Sequence, residues 1–159
     1  GGGIPSTPNA WYYDNNEATY GIDGTRKCGL LYNWYACKLL NDNRSELIPG
    51  WHVPTNDEWT ALANAVGGTG VAGTRLKAAN VSWATSWGGT DDYGFGVLPA
   101  GKNSDGFVKV GSRAYFWTIT DSGSSAYYRS FEPSAIMYQG TDSWTYAYSV
   151  RLVKDAPAP

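Results

Sequence analysis

The chain has 159 residues, with eight Trp, twelve Tyr, twenty Gly and a formal net charge of -2. That length fits one domain able to bury about 70% of its unfolded surface. Sparse, balanced charge gives no steering toward nucleic acid or an acidic membrane, and no segment reaches the ~18 to 20 apolar residues of a membrane span.

Two cysteines, Cys28 and Cys37, are too few for a disulfide-built scaffold; whether they are bonded or free stays open. One histidine, two cysteines and no clustered carboxylates supply no zinc site, and no cofactor is expected.

In chain order, GGGIPSTPNA reads as a flexible lead-in over residues 1–10, followed by a single ordered domain over 11–155 and a solvated tail over 156–159. WYYDNNEATYG reads as an early strand and a turn. In GLLYNWYACKLLND, Tyr32, Tyr35, Ala36, Leu39 and Leu40 fall on one helical face, and Asn41-Asp42-Asn43 ends it. GWHVPTNDEWTALANAVGG carries the clearest helix start: Thr55 and Glu58 form a T-x-x-E capping box, with Pro54 and Trp59 placed as a hydrophobic staple. Trp59, Leu62, Ala63 and Val66 continue the stripe until Gly67-Gly68 stops it. After residue 70 the texture becomes short runs between Gly, Asn, Asp and Ser. YGFGVLPAG, GFVKVGS, RAYFWTIT and AYSVRLVKD read as short strands, the last with Tyr148, Val150 and Leu152 alternating inward. Helices early and strands late make an α+β domain.

Catalytic arrangements fail on residue supply. His52 would have to serve any Ser-His-Asp or Cys-His pair, yet it sits between Trp51 and Val53 at a helix entry, the place of a structural histidine. GGTGVAGT lacks a Walker lysine. Asp91-Asp92 reads as an acidic turn, and Glu132-Pro133-Ser134 is one tripeptide of a lectin calcium site without its Trp-Asn-Asp partner, so no metal is expected. Lys102, Lys109 and Arg113 are too scattered for a basic patch.

The ordered set GLLYNWYA, GWHVPTNDEWTAL, GGTGVAGTRLK, YGFGVLPAG, AYFWTIT and YSVRLVKD resembles the Fibrobacter succinogenes major paralogous domain over residues 28–155. The resemblance implies a C-type lectin fold of the formylglycine-generating-enzyme variant. Members usually carry Cys before the GWH motif and in SVRC; here those positions lie in ELIPGWH and at Leu152, which implies a disulfide replaced by apolar packing. No cysteine follows Cys37, which argues against the oxidase activity of true formylglycine-generating enzymes. The variable proteins of diversity-generating retroelements use the same fold and end in the same kind of SVR strand, with their rewritten residues at the C-terminal end of the domain forming a ligand-binding surface.

That resemblance gives meaning to residues 116–148, which hold six Ser, five Tyr and four Thr but only four charged residues and no Lys. Tyr offers large contact area with few rotors to freeze, and Ser, Thr and Gly adapt around it. Trp117, Tyr148, Val150 and Leu152 are expected in the core, and Arg151 as a structural partner of a carboxylate or carbonyls. Tyr127, Tyr128, Phe131, Tyr138, Trp144 and Tyr146 are the expected exposed anchors. Ile119, Asp121, Ser122, Ser124, Ser130, Ser134, Ile136, Gly140, Thr141, Asp142 and Ser143 complete the candidate ligand face. The expected partner is a protein or a cell-surface glycan, met outside the cell on a bacterial surface or phage virion, with no nucleic acid and no membrane insertion; oligomerisation stays open. A fixed adhesin or carbohydrate-binding module is the alternative.

Overall fold

The computed structural model describes residues 7–21 and 23–157. Its best-signalled element forms as expected. Thr55 Oγ1 accepts from the Glu58 amide at 3.1 Å and the Glu58 carboxylate accepts from the Thr55 amide at 3.0 Å, starting α4 (Asn56–Ala65). The shorter helices before it are α1 (Glu17–Tyr20), α2 (Trp34–Asp42) and α3 (Arg44–Leu47). Trp59, Ala63 and Val66 turn inward, and Gly67 and Gly68, both at positive φ, end α4.

The buried face of α2 differs from the expected stripe. Asn33 caps it by accepting from the Ala36 amide at 3.0 Å, so the helix starts at Trp34 and Tyr32 stays in the preceding strand. Trp34, Ala36 and Cys37 are buried with Leu40 beside them, while Leu39 is 49% exposed.

A further helix, α5 (Thr69–Leu76), occupies GTGVAGTRL, where the sequence reading expects helical structure to have ended. Gly73 explains it. A Cβ there would stand 2.4 Å from the Ile136 carbonyl oxygen, so only glycine lets the helix lie against that backbone.

The strands are β1 (Ala10–Trp11), β2 (Leu31–Asn33), β3 (Trp51–His52), β4 (Ala100–Asn103), β5 (Phe107–Val110), β6 (Ala114–Asp121), β7 (Ser125–Phe131), β8 (Met137–Ser143), β9 (Ala147–Tyr148) and β10 (Val153–Lys154). Eight form one sheet in the order β1-β2-β9-β4-β6-β7-β8, with β5 on β4; β3 and β10 form a separate ribbon. Only the β4–β6 pair is parallel among these strands. The chain is therefore α+β.

Four expectations change here. WYYDNNEATYG keeps only Trp11 in a strand, followed by a 3₁₀ turn at Tyr13–Asn15 and α1. YGFGVLPAG becomes strand only from Ala100. AYSVRLVKD is two strands in two sheets: β9 pairs with β2 and β4, whereas β10 pairs with β3. Residues 121–146, where the sequence reading places no strand, contain the whole of β7 and β8, an antiparallel hairpin beside β6. Of the lead-in, residues 1–6 lie outside the described residues. Thr7 and Asn9 are tied to β2, the Asn33 side chain donating to the Thr7 carbonyl at 2.7 Å and accepting from the Asn9 amide at 3.1 Å.

Hydrophobic cores cover both sides of the sheet near β6 and β7. One joins Trp59, Ala72 and Leu76 of α4 and α5 to Ala114, Phe116, Phe131 and Met137. The other joins Trp34 and Cys37 of α2 to Tyr115, Trp117, Ala126 and Tyr148. Indole donors stitch the second: Trp34 Nε1 to the Thr118 carbonyl and Trp117 Nε1 to the Tyr32 carbonyl, both at 2.9 Å. Trp117 and Tyr148 are fully buried as expected, and Val150 and Leu152 are half-buried against this core.

Candidate ligand-binding face

Side chains alternate along a strand, so the hairpin divides the candidate residues between its two faces. The register pairs Tyr115 with Ser130 and Ser130 with Tyr138, and pairs Trp117 with Tyr128 and Tyr128 with Gly140. Tyr128, Ser130, Tyr138, Gly140 and Asp142 therefore share one face. It continues from the Tyr115–Trp117 core outward to the edge strand β8, where Tyr138 is 36% exposed. Tyr127, Phe131, Thr141 and Ser143 point to the other face.

The tyrosine face rests on framework residues. Tyr148 stacks on Trp117 with centroids 4.2 Å apart and on Tyr115 at 5.1 Å, and its hydroxyl donates to the Asp142 carboxylate. Burial, then that carboxylate, pushes the Tyr148 hydroxyl above the ordinary tyrosine range. Asp142 is thus a structural acceptor as well as a surface residue. Tyr128 meets Tyr148 edge-on at 5.3 Å and Tyr115 at 5.9 Å; burial, then Asp142, raises its pKa. Lys102 of β4 lies 4.8 Å over the Tyr115 ring and 5.7 Å over that of Tyr146, a cation held by two aromatic faces. Arg113 pairs with Glu132 at 3.2 Å. Lys102 and Tyr115 escape a reading confined to residues 116–148; the alternation in RAYFWTIT is the signal that places Tyr115 with Trp117.

On the opposite face, α4 covers part of the hairpin. Arg129, 1% exposed, donates from Nη2 to Asn56 Oδ1 at 3.0 Å and to Thr60 Oγ1 at 2.7 Å, and from Nε to Asn56 Oδ1 at 3.1 Å. Tyr127 is half-buried and Thr141 exposed, and among the described residues neither side chain makes a hydrogen bond. Phe131 is fully buried among Trp59, Phe116 and Met137, so it is core and not an anchor; its register opposite Ala114 points it at α4.

The other candidates lie apart. Asp121, at the end of β6, and Ser122 and Ser124, in the β6–β7 turn, are exposed. Ser134 and Ile136 sit in the β7–β8 turn at the opposite end, where Ser134 Oγ donates to the Tyr138 hydroxyl at 3.3 Å. Ile119, Trp144 and Tyr146 pack on the second core. Trp144 corrects the expectation of an exposed anchor. It stacks on Trp34 at 5.4 Å and meets Tyr35 edge-on at 6.1 Å, and its Nε1 is buried without an acceptor among the described residues.

The chain matches the family model of the Fibrobacter succinogenes major domain over residues 4–154. It belongs to that family. No curated protein and no solved structure gives a significant match.

Within this Fibrobacter succinogenes major domain, the GWHVPTNDEW motif is structural. His52 Nδ1 lies 2.6 Å from Asp155 and Nε2 lies 2.8 Å from Glu58, joining the chain's end to the start of α4. Burial opposes charge on His52, but the bonds and charges of Glu58 and Asp155 raise its pKa overall. Arg151 donates to the Phe95 carbonyl at 2.8 Å and lies 4.2 Å over the Phe95 ring, which fits the expected carbonyl partner. Cys28 and Cys37 are free; burial pushes Cys28 up to about 11 against a small pull from Arg26, and pushes the fully buried Cys37 higher still, the reverse of an activated thiol. An apolar cleft of about 550 Å³ lies between α4 and the β3–β10 ribbon, lined by Trp51, Leu62, Phe95 and Leu152, and none of the expected site residues lines it. Among the described residues no group of three His, Cys, Asp or Glu is arranged to hold a metal, and no helix is long and apolar enough to cross a membrane.

Proposed function

We propose that this domain is a non-enzymatic binding protein, the variable protein of a diversity-generating retroelement, built on the formylglycine-generating-enzyme variant of the C-type lectin fold. The observation that carries the reading is the tyrosine face of β7 and β8. Tyr128 and Tyr138 share that face with Ser130 and Gly140, and Tyr128 packs on Tyr115 and Tyr148, which with Trp117 form a stacked support. Large rings among small polar neighbours suit recognition of a macromolecular surface, and a floor already packed lowers the ordering cost of binding. The partner is a protein or surface glycan met outside the cell.

A fixed adhesin or carbohydrate-binding module is the second reading. It is favoured by Lys102, which lies outside residues 116–148 and brings to the face a cation held over the Tyr115 and Tyr146 rings, suited to an acidic sugar.

Sequencing this gene across a population separates the two. Diversification concentrates substitutions in residues 119–146, at 128, 130 and 138 on the tyrosine face and at the accessible positions 127 and 141 on the other, spares Ala126, Phe131, Met137 and Tyr148, and comes with a nearby template repeat and reverse transcriptase. Substitutions scattered evenly along the gene would sink it.

A further inference from the structure

Gly140 stands opposite Tyr128 in the β7–β8 register, in the middle of the edge strand. It is absent from the glycines at positive φ, so its backbone asks for no glycine. A glycine inside a strand costs conformational entropy and packs nothing, and often marks a place where another group approaches closely. Here that group is the Tyr128 ring. A Cβ on residue 140 would lie 2.6 Å from the Tyr128 hydroxyl oxygen, 2.7 Å from Cζ and 2.9 Å from Cε1. Real Cβ atoms do not approach so closely. The obstructing atoms are the free end of a side chain, so the ring must move before the strand does. Moving it means leaving its contacts with Tyr148 and Tyr115, and among the described residues no strand lies beyond β8 to receive it.

We propose that Gly140 is the positioning residue for Tyr128. With glycine at 140 the ring lies across the edge strand and the face is level. With any side chain there, Tyr128 is displaced toward solvent and becomes a projecting anchor. Resting on the binding reading above, residue 140 then determines specificity through Tyr128 and not through contacts of its own. In a face that varies, positions 128 and 140 change meaning together.

The test is a cycle of four proteins: the parent, Gly140→Ala, Tyr128→Ala and the double variant. Gly140→Ala lowers the thermal midpoint of the parent by about 2–4 °C and leaves it unchanged or raised in the Tyr128→Ala background. Nitration by tetranitromethane, read by peptide mass spectrometry, rises severalfold at Tyr128 in Gly140→Ala. An equal drop in both backgrounds, or unchanged nitration at Tyr128, overturns the proposal. No ligand enters the cycle, so its failure is distinct from failure of the face to bind a target.

Discussion

Lys77 is a charged side chain held at 1% exposure. Its Nζ donates to the carbonyls of Trp87 at 2.6 Å, Glu132 at 2.7 Å and Ser134 at 2.9 Å, and lies 5.0 Å over the Trp87 ring. Two of those carbonyls belong to the β7–β8 turn, so Lys77 anchors the hairpin that carries the tyrosines. Burial lowers its pKa, with Glu132 acting in the opposite direction. Lys77→Met leaves three acceptors without their donor and should cost about 3–5 kcal/mol in urea denaturation. Nothing in GTRLK marks that lysine as buried, because its partners are backbone groups 10 to 57 residues away. The anchors should also separate by role. Trp144→Ala removes an indole stacked on Trp34 and should cost about 2 kcal/mol or more, whereas Tyr127→Ala and Tyr138→Ala should each stay within about 0.5 kcal/mol. Equal losses from all three in the same denaturation series would show that none of these rings is spare.

Elements differ in how plainly the sequence announces them. Helix α4 is legible because its capping box, stripe and glycine stop all lie within residues 55–68. The hairpin is not. Its inward positions on the α4 side include Arg129, buried through bonds to Asn56 and Thr60, and Ala126 faces the other core with little apolar bulk. Hydrophobic alternation fades where a strand is covered on both sides and one cover is polar. The same principle of distant partners governs the His52 clasp between β3, the start of α4 and Asp155. His52 has its pKa raised above 6.5, so its contribution is complete below that value and fades as pH rises through the raised one. Glu58 has its pKa lowered below 4.5 despite burial, through the Thr55 and His52 bonds, so its contribution is complete above 4.5 and fades as pH falls through the lowered one. The clasp should therefore be strongest between about pH 4.5 and 6.5, and thermal midpoints across pH should decline on the alkaline side. His52→Gln should abolish that decline; an unaltered profile would assign it to another group.

For the molecule as a whole, stability comes from cores on both sides of one sheet and not from a covalent staple. Cys37 is fully buried and Cys28 partly so, both free. Reductant should leave the thermal midpoint unchanged, and Cys37 should react with a thiol reagent only after unfolding; a midpoint lowered by reductant would reveal a bond. Leu152 packs against the second core and lines an open cleft with Ile48, Pro49 and Trp51. The sequence by itself determined the α+β class, the capped helix, the buried Trp117 and Tyr148, and the motif order that marks the family, because each depends on residues close along the chain or on bulk composition. Tertiary structure alone decided which tyrosines share a face, that Phe131 and Trp144 turn inward, that Lys102 joins Tyr115, and that Gly140 makes room for Tyr128. Those outcomes depend on strand register and on pairings between distant segments, and a shift of one residue in register would send every side chain of the hairpin to the opposite face.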